Sequence, residues 1–175
     1  MGVRLTVTRA ALYARVSTTD QDGASQIARL QEWAAREGHT VLIARTDTAS
    51  GRFVQRPGLD EIMREARGRH VQVVAVAKVD RWARSIQHLA ASVQELYDLG
   101  VEFVAVDQGL RVSRDRTDPT SVLILHVLGA VAQWEASIIS ERTKEGLRHA
   151  RANGKRLGRP PKKGMPAALT VTPPV

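Results

Sequence analysis

The strongest constraint on the fold of this chain is the regular alternation of short β-branched runs with helical apolar periods from Ala10 to Val106. Ala10–Val16, Thr40–Ala44, Val71–Ala77 and Val101–Val106 have the length and composition of strands. Between them lie three amphipathic stretches. One runs from about Ala24 to Glu37, with Ile27, Leu30 and Ala34 on one face and Gly38 as a stop. A second is opened by Pro57-Gly58 and reaches about Arg67. The third carries Ile86, Leu89, Val93 and Leu96 to Gly100. Thr46–Pro57 and Lys78–Arg84 read as loops. Strands that alternate with helices in this way bury both faces of a sheet, so the expected class is α/β: a mainly parallel sheet of four to five strands flanked by helices.

A polar loop, Asp107–Asp118, then precedes an unusually long helix. Pro119 suits its first turn, and no firm breaker occurs until Asn153-Gly154. About 34 residues at the α-helical rise span roughly 50 Å. Its first half is apolar (Val122, Leu123, Leu125, Val127, Leu128, Val131, Trp134, Ile138), and its second carries Lys144, Arg148, Arg151 and Lys155 as a basic stripe. The expected organisation is a core over 1–118, the long helix over 119–153, and a basic arm with a disordered tail over 154–175.

Composition narrows the chemistry. With 43% hydrophobic but only 4% aromatic residues, an aliphatic core is expected. The chain has no Cys, which excludes disulfides, a thiolate nucleophile and Cys-ligated zinc. None of the five His are three or four residues apart, so no helical pair is set for a metal. Uninterrupted apolar runs fall well short of the roughly 18 residues of a membrane span, and the N-terminus lacks a signal-peptide apolar region. A soluble, cytoplasmic protein without cofactor or membrane partner is expected. Between Arg142 and Lys163 nine Lys/Arg face one acid, Glu145, which accounts for the whole net charge of +8. A neutral body with one basic extension suits a polyanion, although a solvated basic tail has the same composition.

Three groups of residues carry chemistry. In Tyr13-Ala14-Arg15-Val16-Ser17-Thr18-Thr19-Asp20-Gln21, strand alternation puts Tyr13, Arg15 and Ser17 on one side. Ser17 ends the strand at the carboxyl edge of the sheet, where open α/β folds place ligands. Taken alone, Ser17-Thr18 could equally start a turn or cap the next helix. Lys78-Val79-Asp80-Arg81-Trp82-Ala83-Arg84 follows the third strand at the same edge, and Asp47-Thr48-Ala49-Ser50-Gly51 with Arg56 follows the second. Three loops would then gather Arg15, Arg56, Lys78, Arg81 and Arg84 around one hydroxyl. Fixed cations of this kind stabilise the charge of a phosphoryl-transfer transition state without a metal. A weaker alternative has Asp47, Asp60 and Asp80 holding magnesium.

These motifs resemble those of the serine recombinase (resolvase/invertase) family. Tyr-Ala-Arg-Val-Ser-Thr-x-x-Gln is similar to its nucleophile signature. Asp-x-Ala-Ser-Gly, the Arg-Pro-Gly-Leu at Arg56, Lys-x-Asp-Arg-x-x-Arg, Leu128–Glu135 and Ser140–Thr143 follow in the family's order, from about Ala11 to Gly158. The resemblance implies a site-specific recombinase in which Ser17 becomes joined to a DNA 5′ phosphate. Arg15, Arg81 and Arg84 would bind the phosphate and transition state. Arg56, Gln21 and Gln26 would position the site, and Asp80 would orient an Arg or handle a proton. It further implies a homodimer assembling to a tetramer on double-stranded DNA, in a prokaryotic or phage setting, with the long helix as interface and Arg142, Lys144, Arg148 and Arg151 near the minor groove. Gly154–Lys162, with Lys155, Arg156 and Arg159, looks like a minor-groove arm. Two departures stand out. No helix-turn-helix follows the arm, which leaves site reading to an accessory DNA-binding protein or a missing domain, and Ala136 stands where many relatives carry Arg. A non-catalytic or truncated DNA-binding relative with a regulatory role is the rival reading.

Overall fold

The computed structural model describes residues 7–17, 23–49, 55–155 and 158, with the side chains of Ser17 and Ala49 outside that description. Five strands form one sheet: β1 (Arg9–Ser17), β2 (Thr40–Ala49), β3 (Val73–Val76), β4 (Glu102–Ala105) and β5 (Leu110–Val112). Their order is β2-β1-β3-β4-β5, parallel except for the last pair. The helices are α1 (Gly23–Arg36), α2 (Pro57–Arg67), the single turn α3 (Val79–Trp82), α4 (Ile86–Asp98) and α5 (Pro119–Ala152). The α/β class and the long final helix agree with the expectation from sequence.

Alternation along β1 sorts the core into two layers. Ala11 and Tyr13 face a cluster with Ile62 and Met63 of α2, Trp82 of α3, Leu96 of α4, Phe103 of β4 and Leu125 of α5. Ala10 and Leu12 face the other side, against Leu30, Trp33 and Ala34 of α1. Valine and alanine fill β3, whose four residues are all buried. At Gly38 a φ of 73° ends α1, and His39 N–H donates to the Ala34 carbonyl at 2.8 Å as the closing bond.

Three elements differ from the sequence reading. β2 does not stop at Ala44 but continues through Asp47 to Ala49, paired with β1 as far as Ser17↔Ala49. It is an edge strand with exposed Thr46 and Thr48, so its polar half carries little apolar signal. α3 is a turn inside the expected Lys78–Arg84 loop, and β5 lies inside the expected Asp107–Asp118 loop; at four and three residues both are too short to show a period. α5 is long and apolar enough by length and composition to cross a membrane, because polar positions interrupt the apolar run without lowering its average much. Asp118 caps its start, accepting from the Ser121 amide at 3.0 Å and from the Ser121 hydroxyl.

By compactness the chain divides into Met1–Ala136 and Ser137–Val175. In the first unit α5 packs on the core through Leu125 and Ser121, while Leu123, Val127, Val131 and Trp134 remain exposed. The second unit is helical from Ser137 to Ala152, and there Lys144, Leu147, Arg148 and Arg151 line a shallow groove of about 310 Å³.

The start of α2 depends on a partner outside the helix. Its N-cap residue, Arg56, makes no side-chain cap; instead Asp47 of β2 accepts from Gly58 N–H at 2.9 Å and Leu59 N–H at 3.1 Å. A Cβ at Gly58 would sit 2.8 Å from Asp47 Oδ1 and 3.0 Å from Arg45 Cβ. Gly58→Ala is therefore expected to destabilise the protein by about 1–3 kcal/mol, through displacement of a buried acceptor, as measured by the shift in denaturant midpoint.

Candidate active site

The strand order reverses direction between β1 and β3, and the crevice outside such a switch point is where open α/β sheets bind ligands. Ser17 is the last residue of β1. β3 ends at Val76, opposite Tyr13, and β1 runs four residues further, so Lys78 and α3, which follow β3, lie alongside the last part of β1.

Arg15 reaches α3: its Nη2 donates to the Asp80 carbonyl at 2.8 Å, and its Nε is buried without a partner among the described residues. Asp80 and Arg81 pair at 3.7 Å, with the carboxylate largely exposed. Arg81 and Lys78 line a cleft of about 70 Å³ with Gln26, Arg29 and Asp107. Gln26 is only 3% exposed, and its Oε1 has no partner among the described residues. An Arg29–Asp107 ion pair of 3.1 Å borders the same cleft. Arg84 is exposed and lines a second, more apolar depression of about 250 Å³ with Asp80, Ala83 and Leu89. Gln21 and Ser50, also named from sequence, lie outside the described residues.

Behind these groups sits a buried relay. Tyr13 Oη donates to Asp47 Oδ2 at 3.0 Å and accepts from Arg56 Nε and Nη2 at 3.1 and 2.9 Å. Arg56 Nη2 also donates to the Arg81 carbonyl at 2.9 Å. Arg56 is 5% exposed, so it stands behind the exposed cations rather than among them. Its charge is offset by Asp47 through the shared phenol, and its Cζ lies 5.2 Å from the Tyr13 ring centre. Asp47, expected in a loop, is a strand residue whose two oxygens serve Tyr13 and the start of α2. The magnesium alternative needs Asp47 beside Asp60 and Asp80, and no cluster of three such ligands occurs among the described residues.

The chain matches the family described as "Resolvase, N terminal domain" over residues 10–156. It is 40% identical over 151 residues to the DNA-invertase of Escherichia phage P1, covering 86% of this chain and 74% of that protein. This chain belongs to the resolvase/invertase family of serine recombinases. The transposon Tn552 resolvase of Staphylococcus aureus is 33% identical over 150 residues, 86% of this chain and 71% of its own length. Among solved structures, a resolvase family site-specific recombinase from Streptococcus pneumoniae superposes with a TM-score of 0.70 at 27% identity, over 82% of this chain and 99% of that one.

Within this recombinase domain, sequence reading passed over three side chains that shape the site. Trp82, placed in a loop by sequence, is fully buried. Its indole donates to Ser92 Oγ at 2.8 Å. Gln108 Oε1 accepts from Val79 N–H at 2.7 Å and so supports the start of α3. A Trp within a charged heptapeptide is the signal that could have found the first; the other two have none.

Burial pushes the Tyr13 phenol up to about 12, against the lowering effect of Arg56. Since the folded phenol holds its proton more tightly, its share of stability is intact below the unfolded value of about 10 and lost as pH rises towards the folded one. Ultraviolet phenolate titration alongside alkaline unfolding should show this loss in the wild type and not in Tyr13→Phe.

Proposed function

We propose that this chain is a site-specific DNA recombinase that cleaves and rejoins double-stranded DNA through a phosphoserine link at Ser17. The observation that supports the reading is the bond from Arg15, two residues before the end of β1, to the Asp80 carbonyl of the turn that carries Arg81, at the switch point of the sheet. In the first step the Ser17 hydroxyl attacks a backbone phosphorus. The P–Oγ bond forms, the P–O3′ bond breaks, and the 3′-hydroxyl leaves with a proton. Asp80, paired with Arg81, is the carboxylate assigned to orient that guanidinium or take the serine proton. Arg15, Arg81 and Arg84 meet the phosphate as multidentate cations. Gln26 and Lys78 line the approach, and Gln21 and Ser50, outside the described residues, are assigned by sequence alone. Tyr13, Asp47 and Arg56 hold the scaffold. Rejoining reverses the step with a new 3′-hydroxyl, and because one ester replaces another no nucleotide triphosphate is consumed.

The division of labour follows the charge. The core (1–118) would carry the chemistry. The helix (119–153) would carry assembly and DNA contact, and the arm (154–175) further groove contact. Arg142, Lys144, Arg148, Arg151 and Lys155 are exposed on the second unit, and we assign them to phosphates. Arg156 and Arg159 lie outside the described residues and are assigned by sequence alone. The exposed face of Leu123, Val127, Val131 and Trp134 suits a second copy of the chain, in a homodimer that doubles to a tetramer. Its relatives are phage and transposon recombinases, which supports a prokaryotic or phage cytoplasm, on the nucleoid, as the setting. Phosphate contacts of this kind read little sequence, and the partners that would supply site choice include an accessory DNA-binding protein.

Incubated with supercoiled DNA bearing a candidate site, the wild type should form a trapped covalent adduct and Ser17→Ala none. An adduct that survives in Ser17→Ala overturns the nucleophile assignment. Binding without any wild-type adduct favours the regulatory reading.

Replacing Lys144, Arg148 and Arg151 together with Ala should weaken binding to all sequences alike. The slope of log affinity against log salt should flatten by about 0.9 for each phosphate that is no longer neutralised. A titration with unchanged slope argues against phosphate binding by this stripe.

A further inference from the structure

We propose that Trp82 is a positioning residue for strand cleavage: its indole, pinned by Ser92 of α4, sets where the α3 turn presents Arg81 and Arg84. The proposal rests on the recombinase reading above and adds two residues to it.

α3 is a single turn, with Arg81 N–H donating to the Lys78 carbonyl at 3.0 Å and Ala83 N–H to the Val79 carbonyl at 2.9 Å. One turn has no helical stability of its own, so its placement comes from packing against the rest of the domain. Lys78, Asp80 and Arg84 are exposed, and Val79, Arg81 and Ala83 only half-buried. Trp82 alone in this stretch is wholly enclosed.

The enclosure is directional. The indole meets the Tyr13 ring of β1 edge-on, with centres 5.7 Å apart and planes at 89°. It tilts at 55° against Phe103 of β4, at 5.4 Å. Its Nε1–H donates to Ser92 Oγ at 2.8 Å, and the same hydroxyl is 2.7 Å from the His88 carbonyl, to which it donates. Two rings and one hydrogen bond fix the ring's orientation, which an aliphatic side chain of similar volume could not do.

What the ring fixes is more than its own backbone. Arg15 donates to the Asp80 carbonyl and Arg56 to the Arg81 carbonyl, at 2.8 and 2.9 Å. Arg81 sits in this turn and Arg84 two residues after it, and Arg15 and Arg56 each donate to one of its carbonyls. A small rotation of the indole would displace Arg81 and Arg84 relative to the end of β1 and disturb the carbonyl contacts of Arg15 and Arg56, and displacements near 1 Å cost about a hundredfold in rate where positioned groups act together.

Ser92→Ala removes the acceptor and leaves both ring contacts, Ser92→Thr keeps a hydroxyl, and Leu30→Val on the opposite face of the sheet controls for general loss of stability. In Ser92→Ala the Arg81 and Ala83 amides should exchange with solvent about tenfold faster, while Val74 and Ala75 of β3 stay as in the wild type. Adduct formation at saturating DNA should slow about tenfold to a hundredfold, with unchanged DNA affinity, and Ser92→Thr should recover both rate and protection. Unmoved exchange at Arg81 and Ala83 overturns the proposal, as does an adduct rate in Ser92→Ala no lower than in Leu30→Val. A wild type inert on every DNA overturns the assignment of Ser17 and the catalytic half of this proposal, and the exchange measurement then decides separately whether the indole holds the turn.

Discussion

A guanidinium placed in the interior of a protein is costly unless its charge and donors are met, and Arg56 meets that condition through groups drawn from three separate segments. Tyr13 comes from the central strand, Asp47 from the edge strand, and the Arg81 carbonyl from the turn after β3. The phenol is the hinge of this arrangement because it donates to the carboxylate while accepting from the cation. Asp47 also begins α2, so the helix, the strand edge and the buried charge are set by one carboxylate. Loss of any member leaves another unpaired in the core. We read this network as the reason the exposed cations in front of it have a fixed floor.

The arginines accordingly fall into two kinds. Arg56 is spent on structure. Arg81 and Arg84 have side chains at two depressions flanking the α3 turn, and Arg15 is held against that turn by one carbonyl with its Nε left unpartnered. Under the proposed function the guanidinium groups of Arg81 and Arg84 would meet a phosphate, and pre-placement would mean that little reorganisation accompanies charge development. The carboxylate of Asp80 is exposed beside them, close enough to orient a guanidinium without neutralising the cluster.

The basic half of α5 works by different physics. Its side chains are exposed around a shallow groove with Leu147, so under the proposed function affinity from this surface would come from counterion release and depend on salt. Precision would reside in the first unit and reach in the second. The exposed apolar face on the first part of α5 is the feature that hydropathy alone cannot separate from a membrane span. Membership of the resolvase/invertase family supports assembly as its use.

Sequence by itself determined the α/β class, the order of the main strands and helices, and the length of α5. These are local properties: β-branched runs, helical periods, Pro119 and the stop at Asn153-Gly154. It also put Ser17 at the carboxyl end of β1 and Lys78 just after β3, because motif spacing and strand alternation survive without coordinates. Only the tertiary structure decided that Arg56 lies behind the site, that Asp47 is a strand residue capping α2, and that Trp82 is a core ring rather than a loop residue. Each of those facts depends on partners between 10 and 43 residues away along the chain. The same holds for the last residues of β2, whose strand character comes from pairing with β1 rather than from their own composition. A single sequence records periodicity within a segment; which side chain a segment will meet is set only when the segments pack.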